Sequence, residues 1–532
     1  MKRLLWLLIF SVLSLAACGD GGQSTVGESV LHRGTGEEPE SLDVHKSRST
    51  EAGHVQRDLG EGLVGYTRDG KLQPAAAESW TISDDGTEYR FQLRSDARWS
   101  NGDPVTADDF VYSFRRLVDP DTAAFYVDSV REVRNAAEII SGEQSLESLG
   151  IEAIGEHQLK ITLRRPVPYF INLLAHPSTF PVHRASIAEH GDAHSRPGNL
   201  VSNGAYKLTS WVVGSHIEIE RNEYYRDNDN TAIDRVFHYV TPEPMAELNR
   251  YRAGELHVTR GIPPELFIQM KEERPDEVRV SPALGVYYYG FNMSDPEFAD
   301  NPKLREALSM AIDREQLVEL IGRGEAPAYG WVPNGTSNYD PQTYSWSSMS
   351  ADERTRKAQQ LYREAGYGPN KVFRTEIRYN TNATHRAVAV AIQSMWKTVL
   401  GVDAELVSEE FQVLLQNIQQ KDSIKIFRLN WDGDYNDAHT FLSTFETDNP
   451  SNLTGYQSDE FDSLMQRAAS QADPRLRKAY LEEAEVRMLR DHPMIPIYFF
   501  VNKHMVSPSV IGWGDNVLNY HYSQHLSFAA DE

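Results

Sequence analysis

The fold class follows from two kinds of stretch, of which the first reads Glu88-Tyr89-Arg90-Phe91-Gln92-Leu93. Apolar Tyr, Phe and Leu alternate there with polar Glu, Arg and Gln, and the same alternation recurs at 159–163 and at 216–220. Successive side chains of a β-strand point to opposite faces of its sheet, so this alternation indicates strands with one buried face. The first half of the chain therefore predicts β-sheet.

The second kind of stretch is helical and begins at Asn301-Pro302, followed by Leu304, Ala307, Leu308, Ala311 and Ile312. Apolar residues at i, i+3, i+4, i+7 and i+8 behind a capping Asn and a Pro are typical of the start of an amphipathic helix. Ser350-x-x-Glu353 is a capping box that predicts a second helix, and the apolar spacing at 388–399 predicts a third. Mixed strands and helices over 532 residues, without an internal repeat, predict a multi-lobed α/β protein.

The composition excludes several function classes. With 53 Lys and Arg against 77 Asp and Glu, the formal net charge is −24, which offers no basic surface to a nucleic-acid backbone. A single cysteine cannot form an intramolecular disulfide, a cysteine-based zinc site or an iron–sulfur cluster. We expect no nucleic-acid partner and no such cofactor.

That cysteine, Cys18, follows Lys2, Arg3 and a short apolar run at 4–17, which has the layout of a secretory signal. The sequence Leu-Ala-Ala-Cys at its end resembles the lipobox of bacterial lipoproteins, in which the cysteine is lipidated and becomes the mature N-terminus. The alternative is an ordinary signal with an incidental free thiol. We expect a signal peptide over 1–17, a lipid-anchored tether over 18–30 and a soluble body after it, held in the bacterial periplasm at a membrane.

Motifs that carry catalytic chemistry are missing from the sequence. It contains no phosphate-binding G-x-x-x-x-G-K-[ST], no H-E-x-x-H zinc helix and no G-x-S-x-G nucleophile elbow. Two histidine pairs, His190 with His194 and His521 with His525, have the i, i+4 spacing of a helical metal site. Gly191 interrupts the first pair, and the aromatic stretch around the second favours a strand. We therefore expect no metal site, no cofactor and no enzyme.

One acidic turn stands out, Phe427-Arg428-Leu429-Asn430-Trp431-Asp432-Gly433-Asp434-Tyr435-Asn436. An apolar strand from Ile424 runs into a glycine-containing turn with two carboxylates. Asp residues are common in turns because they hydrogen-bond their own backbone, and this explains the turn without any ligand. The functional alternative is a carboxylate held at the edge of a cleft to pair with a cation.

Long stretches of the chain match a known family. They are Glu40–Asp43, Arg57–Leu63, Ala77–Trp80, Trp99–Ser113, Pro168–Phe170, His176–Thr179, Asn203–Tyr206, Arg250–Glu255, Pro327–Gly330 and Pro493-x-x-Pro496. From about Leu31 to its C-terminus, the chain resembles the periplasmic oligopeptide-binding proteins of ABC importers, within the extracellular solute-binding proteins. The His-Pro-Ser-Thr and Pro-Ala-Tyr-Gly stretches favour the oligopeptide branch over the dipeptide, nickel and haem branches.

The resemblance implies an α/β fold of two hinged lobes with an additional third domain, with mixed sheets flanked by helices. Lobe I is expected at 31–60, 184–284 and 502–532, the additional domain II at 61–183, and lobe III at 285–501. Such a protein closes on an extended peptide, binds the backbone by strand-like pairing and accommodates side chains in hydrated pockets.

The resemblance also implies site residues. Asp434 is expected to pair with the α-ammonium of the peptide. The other cleft positions are Arg428, Trp431 and Tyr126; the backbone contacts are Asn430, Asp432 and Thr50; and the pocket walls are Phe411, Phe500, His176 and His385. Relatives carry Trp at the position of Phe411 and Tyr at the position of Phe500. For the four wall residues, packing in the core is an equal alternative to ligand contact.

Two further positions suggest a cargo preference. Arg48 and Gly290 stand where a member of the family carries acidic residues. If both face the ligand, the pocket favours acidic side chains or a peptide carboxylate, whereas on solvated rims their charge has little effect.

The expected partners are oligopeptides, the transmembrane subunits of an ABC permease and, through the lipid anchor alone, a membrane; the protein is expected to be a monomer. Murein peptides are an alternative cargo. A surface lipoprotein enzyme, or a chaperone or adhesin that uses the same cleft, is an alternative of another class.

Overall fold

The structure is a computed structural model that describes residues 28–421 and 424–529. The expected signal peptide, Cys18 and most of the expected tether lie outside the described residues. Within the described part the chain forms 18 strands and 16 α-helices, which confirms the expected mixed α/β class.

The strands are β1 (Val30–Gly36), β2 (Val64–Tyr66), β3 (Leu72–Pro74), β4 (Ala77–Ile82), β5 (Glu88–Leu93), β6 (Ile151–Gly155), β7 (Gln158–Thr162), β8 (Tyr206–Val212), β9 (His216–Arg221), β10 (Arg235–Val240), β11 (Val278–Phe291), β12 (Ala326–Pro327), β13 (Arg374–Asn380), β14 (Asp403–Glu409), β15 (Ile426–Asp432), β16 (Met494–Met505), β17 (Val510–Ile511) and β18 (Ser527–Phe528).

The helices are α1 (Thr50–Leu59), α2 (Ala107–Val118), α3 (Ala136–Ile140), α4 (Phe170–Leu173), α5 (Arg184–His190), α6 (Pro244–Arg252), α7 (Phe267–Glu273), α8 (Pro296–Ala299), α9 (Pro302–Met310), α10 (Arg314–Ile321), α11 (Ala351–Glu364), α12 (Ala383–Leu400), α13 (Phe411–Gln420), α14 (His439–Leu442), α15 (Asp459–Ala469) and α16 (Pro474–Asp491).

The elements predicted from sequence patterns are confirmed. The three alternating stretches form β5, β7 and β9. Asn301 caps α9 by accepting from the Leu304 N–H, and Ser350 and Glu353 form both halves of the capping box of α11. The third predicted helix is α12, which ends at Gly401 in the left-handed conformation that glycine adopts readily.

Three larger sheets each cover a separate apolar core. One has the strand order β1-β10-β9-β8, a second β4-β5-β7-β6, and the third, with six strands, β12-β16-β11-β15-β13-β14. The core of the first includes Leu31 and Val236, that of the second Phe91 and Phe110, and that of the third is the largest. Tyr522, near the C-terminus, packs into the core of the second sheet. The expected domain boundaries stay a prediction.

Two long strands carry the chain between cores. β11 starts at Val278, which packs in a small core with Met505, and continues into the core of the six-stranded sheet. β16 runs antiparallel beside it and returns the chain. Their pairing is irregular between Pro282 and Val286, so the regular ladder is interrupted where the strands pass from one core to the other.

The expected context of both histidine pairs is wrong. His190 is the last residue of α5, and His194 lies in the 3₁₀ helix Gly191–Ser195, because the chain tightens into another helical turn after the glycine. The segment around His521 is not a strand: the His521 ring stacks on Trp513 at 3.6 Å. Within the described residues no group of three or more His, Cys, Asp or Glu side chains is arranged to hold a metal.

Candidate functional site

The acidic turn lies at the end of β15, and two neighbouring segments of the chain fix its position. β15 pairs antiparallel with β11, Asp432 standing opposite Gly285. Beyond the strand, the Gly433 N–H donates to the Leu284 carbonyl at 2.8 Å and the Asp434 N–H donates to Thr440 Oγ1 at 3.1 Å. The turn is therefore held by its backbone, and both carboxylates remain exposed.

The turn requires glycine at 433. A Cβ there would lie 2.9 Å from the Phe441 ring and 3.1 Å from the Thr440 methyl group, closer than carbon atoms normally approach. The backbone at Gly433 thus packs directly on α14, which sets the orientation of the two flanking carboxylates.

Neither carboxylate of the turn has a counter-ion. Among the described residues, no Lys, Arg or His nitrogen lies within 4.0 Å of Asp432 or Asp434, although Asn430 Nδ2 donates to Asp432 at 2.7 Å. Although both side chains remain exposed, the surrounding protein partly removes water from them and so raises the pKa of both carboxyls, and the charge of Asp432 raises the pKa of Asp434 further. Two carboxylates without a counter-ion can attract a cation.

Arg428 lies on the same strand as these carboxylates but is buried. Its guanidinium carbon is 4.2 Å from the Tyr287 ring centroid, and Nη1 donates to Asn380 Oδ1 at 3.1 Å. Its charge lowers the pKa of Asp432 without forming an ion pair with it. Arg428 therefore contacts Tyr287 and Asn380 rather than the carboxylates of the turn.

Several predicted wall residues surround two tyrosines of the neighbouring strands. Tyr287 and Tyr498 stack at 4.5 Å, His385 Nδ1 lies 3.3 Å from the Tyr287 hydroxyl, and Phe500 packs edge-on against Tyr498 at 5.4 Å. Burial, with the nearby charge of Arg428, lowers the pKa of His385 to about 4, so this histidine is neutral near pH 7.

Trp431 and Phe411 line a different space. Together with Asn430 they border a cavity of about 210 Å³ whose other walls include Tyr288 and Trp331. Phe411, the first residue of α13, is 41% exposed, so it is not part of the core. The structure brings these two predicted residues together beside the acidic turn.

The remaining predicted residues lie on the opposite wall of the cleft. The Tyr126 and His176 rings are 4.4 Å apart, and the Tyr126 hydroxyl donates to the Arg48 carbonyl at 3.1 Å. Thr50 is exposed at the first position of α1. Tyr126 is 40% exposed, and its pKa is raised chiefly by burial, with a contribution from the charge of Asp434, so the two walls are within electrostatic reach.

The idea that Gly290 faces the ligand is wrong. Gly290 is buried in β11 between Phe427 of β15 and Met494 of β16. A Cβ at this position would lie 2.4 Å from the Phe427 ring, so glycine is needed for packing between strands. Arg48, in contrast, is exposed, with its guanidinium carbon 5.1 Å from the Phe125 ring centroid.

Sequence reasoning missed one contact that joins the two walls. Tyr435, in the acidic turn, stacks on Tyr169 at 4.6 Å with an angle of 9° between the rings, and His439 stacks on the same Tyr169 ring at 4.7 Å. Tyr435 follows the two carboxylates directly, and Tyr169 lies in one of the family stretches. Their adjacency depends on the packing of distant segments, for which one sequence carries no signal.

No helix within the described residues combines the length and the apolar character needed to cross a bilayer.

Comparison with known proteins shows the same architecture over almost the whole chain. The model of the bacterial extracellular solute-binding proteins, family 5 (middle), matches residues 71–452. The periplasmic oligopeptide-binding protein OppA of Escherichia coli (strain K12) is 38% identical, over 97% of this chain and 95% of its own.

Two solved structures are similar to this chain along nearly its whole length. The unliganded open form of the periplasmic murein tripeptide-binding protein MppA matches with a TM-score of 0.91 and 34% identity, over 94% of this chain and 98% of that one. Haemophilus influenzae OppA in complex with the peptide RPPGFSPFR matches with a TM-score of 0.68 and 35% identity, over 94% of this chain and 99% of that one.

The two solved structures match with nearly equal identity and coverage but with very different TM-scores. This difference indicates that the lobes are arranged as in the open form. The family model matches residues 71–452, which is more than half of the chain. The E. coli relative is similar along nearly the full length. The chain belongs to family 5 of the bacterial extracellular solute-binding proteins.

Proposed function

We propose that this protein is the substrate-binding component of an ABC importer, which captures oligopeptides in the cleft and delivers them to the permease. The observation that carries the proposal is the acidic turn: Asp432 and Asp434 lack a counter-ion and face a wall that contains Tyr126. Every peptide with a free N-terminus supplies the cation that this turn lacks. Relatives named as oligopeptide-binding proteins support the same cargo.

Recognition in this proposal depends on groups that all peptides share. Asp434 binds the α-ammonium, and the backbone groups of Asn430, Asp432 and Thr50 pair with the ligand backbone in the manner of an added strand. Trp431 and Phe411 contribute to a roomy cavity in which water adapts to different side chains. The site thus fixes the backbone and tolerates the sequence.

Closure in this proposal bends the two strands that carry the chain between the cores. The irregular pairing between Pro282 and Val286 has fewer ladder hydrogen bonds to lose when β11 and β16 bend. The division into lobe I (31–60, 184–284, 502–532), domain II (61–183) and lobe III (285–501) is part of the proposal, and the separate cores support it.

Murein peptides are a second candidate cargo. The observation that favours them is the 34% identity to a murein tripeptide-binding protein over 94% of this chain. Calorimetric titration with Ala-Ala-Ala and with the murein tripeptide separates the two. Preference for the murein tripeptide over all common tripeptides would assign the protein to cell-wall peptide recycling.

We also propose the oligomeric state, the location and the lack of catalytic activity of the protein. It is a monomer without a cofactor and without enzymatic activity, placed in the periplasm and anchored to a membrane through lipid on Cys18. Peptides incubated with it should keep their masses, and size-exclusion chromatography with light scattering should give the monomer mass. New peptide masses would indicate an enzyme instead.

Native mass spectrometry of the protein as purified tests the main proposal. A closed binding protein retains cargo, so we expect added masses that denaturation releases as short peptides. Absence of bound peptides, together with no heat on titration with a mixed tripeptide library, would contradict the proposal.

A further inference from the structure

Seven arginines of the described residues are more than nine-tenths buried: Arg33, Arg57, Arg305, Arg314, Arg354, Arg428 and Arg477. A buried charge is costly unless it is paired and hydrogen-bonded, so each of them needs partners. An arginine with partners inside the protein has a structural role, whereas an arginine without them is a candidate to bind a ligand.

Five of the seven have carboxylate partners or several carbonyl partners. Arg33, Arg354 and Arg477 lie within 4.0 Å of carboxylates. Arg305 and Arg314 each donate to several backbone carbonyls. A sixth, Arg428, donates to one amide and belongs to the acidic-turn site.

Arg57 has none of these partners. Within residues 28–421 and 424–529, no carboxylate oxygen lies within 4.0 Å of its guanidinium, and its Nε and Nη1 have no hydrogen-bond acceptor. The ring of Tyr520 stacks on it, with the ring centroid 3.5 Å from the guanidinium carbon. Stacking on a ring leaves the N–H groups at the edge of the guanidinium unsatisfied.

Gly53 leaves room beside that edge. Helical side chains lean toward the N-terminus, and the Arg57 side chain follows α1 back by one turn. Its Nη1 lies 3.0 Å from the position that a Cβ on Gly53 would occupy. Glycine is unfavourable inside a helix, yet here it lets the guanidinium lie directly against the helix backbone.

Arg57 lies on the same helix as Thr50, in the wall opposite the acidic turn. Arg57 lies close enough to His176 and Tyr126 for its charge to act on both rings, and Tyr126 is also within electrostatic reach of Asp434. One wall of the open cleft therefore holds carboxylates without a cation, and the other holds a cation without an anion.

We propose that Arg57 binds the carboxylate of an acidic side chain in the peptide cargo while Asp434 binds the α-ammonium. A carboxylate fits because a guanidinium offers several parallel N–H donors and binds it more strongly than it binds a neutral carbonyl. The inference rests on the proposed function, since it presumes that peptides enter this cleft.

The test is calorimetry with the full-length mature protein and three peptide pairs: Glu-Ala-Ala, Ala-Glu-Ala and Ala-Ala-Glu, each against its Gln counterpart. We expect wild type to bind the Glu peptide at least tenfold more tightly than the Gln peptide at one position. Arg57→Met should reduce that ratio to about one and keep the affinity for Ala-Ala-Ala within threefold. Arg115→Gln, a change on helix α2, should keep the wild-type ratio.

A stability measurement separates a ligand-binding arginine from a structural one. Removing an unpaired buried charge should leave the unliganded melting temperature of Arg57→Met equal to that of wild type or higher. Gly53→Ala is the second variant, because its methyl group would lie 3.0 Å from the position of Nη1 and displace the guanidinium while helix propensity improves; it should also lower the Glu-to-Gln ratio.

Three results would overturn the inference. A lower melting temperature with an unchanged Glu-to-Gln ratio would make Arg57 structural. Equal losses for Glu, Gln and Ala peptides would mean that Arg57 pairs with the opposite lobe on closure. Binding of Ala-Ala-Ala by wild type without any Glu preference would refute this inference alone, whereas no binding of any peptide would refute the proposed function with it.

Discussion

Replacement of Asp434 by asparagine should weaken peptide binding while the fold stays intact. Asparagine keeps the shape of the side chain and removes its charge. The turn is held by backbone hydrogen bonds at Gly433 and Asp434, which the substitution does not remove. Because burial raises the pKa of the Asp434 carboxyl, its charge is not a source of folding stability, and the melting temperature of the free protein should not fall.

The size of the loss follows from Coulomb's law. An ammonium and a carboxylate 4 Å apart attract by about 1 kcal/mol in bulk water and by about 4 kcal/mol at an effective dielectric constant of 20. No protein cation neutralises Asp434, and closure removes water from the cleft, so we expect a loss of roughly 2–4 kcal/mol. This corresponds to a dissociation constant that is roughly 30- to 700-fold larger.

A double-mutant cycle with an acetylated peptide tests the pairing itself. Calorimetry would compare Ala-Ala-Ala with its N-acetyl form on wild type and on Asp434→Asn. If the ammonium pairs with Asp434, the variant should lose little more when the peptide is acetylated, because both changes remove the same interaction. Asp352→Asn, on the exposed first turn of α11, is the matched control. Additive losses would refute the assignment.

Four other changes give distinct outcomes. Peptide affinity should fall as the pH is lowered through the raised pKa of Asp434, since the protonated acid no longer attracts an ammonium; calorimetry between pH 7 and pH 4 measures this, and a flat profile would argue against the pair. Cys18→Ser should move the protein from the membrane to the soluble fraction of detergent-free extracts, where wild type should be absent. Glu485→Gln should destabilise the protein by about 2–4 kcal/mol in urea unfolding, because both oxygens of this buried carboxyl accept hydrogen bonds and an amide nitrogen would face a donor. Gly290→Ala should cost about 1–3 kcal/mol, because its Cβ would overlap the Phe427 ring, and unchanged stability would disprove the packing role of the glycine.

Local patterns predicted local structure well. The alternation at Glu88–Leu93 and the capped apolar spacing after Asn301 depend on neighbours within a few residues, and both elements form as expected. The acidic turn was also predictable, because glycine between two Asp residues after an apolar strand is typical of a tight turn. Family resemblance, rather than periodicity, predicted which other residues share the site with that turn.

Long-range register could not be read from the sequence. Gly290 lies between Phe427 and Met494, which are distant in the chain, so no local pattern indicates that its missing side chain makes room for a ring. Alignment at this one position suggested a ligand contact. The pairing partners of β11 decide the question, and they place the residue inside the sheet.

The uncompensated carboxylates also disfavour closure of the lobes without cargo. Closing the lobes without cargo would remove water from Asp432 and Asp434 and supply no cation in return, which is unfavourable for buried charges. A peptide ammonium reverses this balance, because it enters with the charge that the turn lacks. A ligand shifts an equilibrium by its difference in affinity for the two states, so the same missing counter-ion that provides affinity also makes closure depend on cargo.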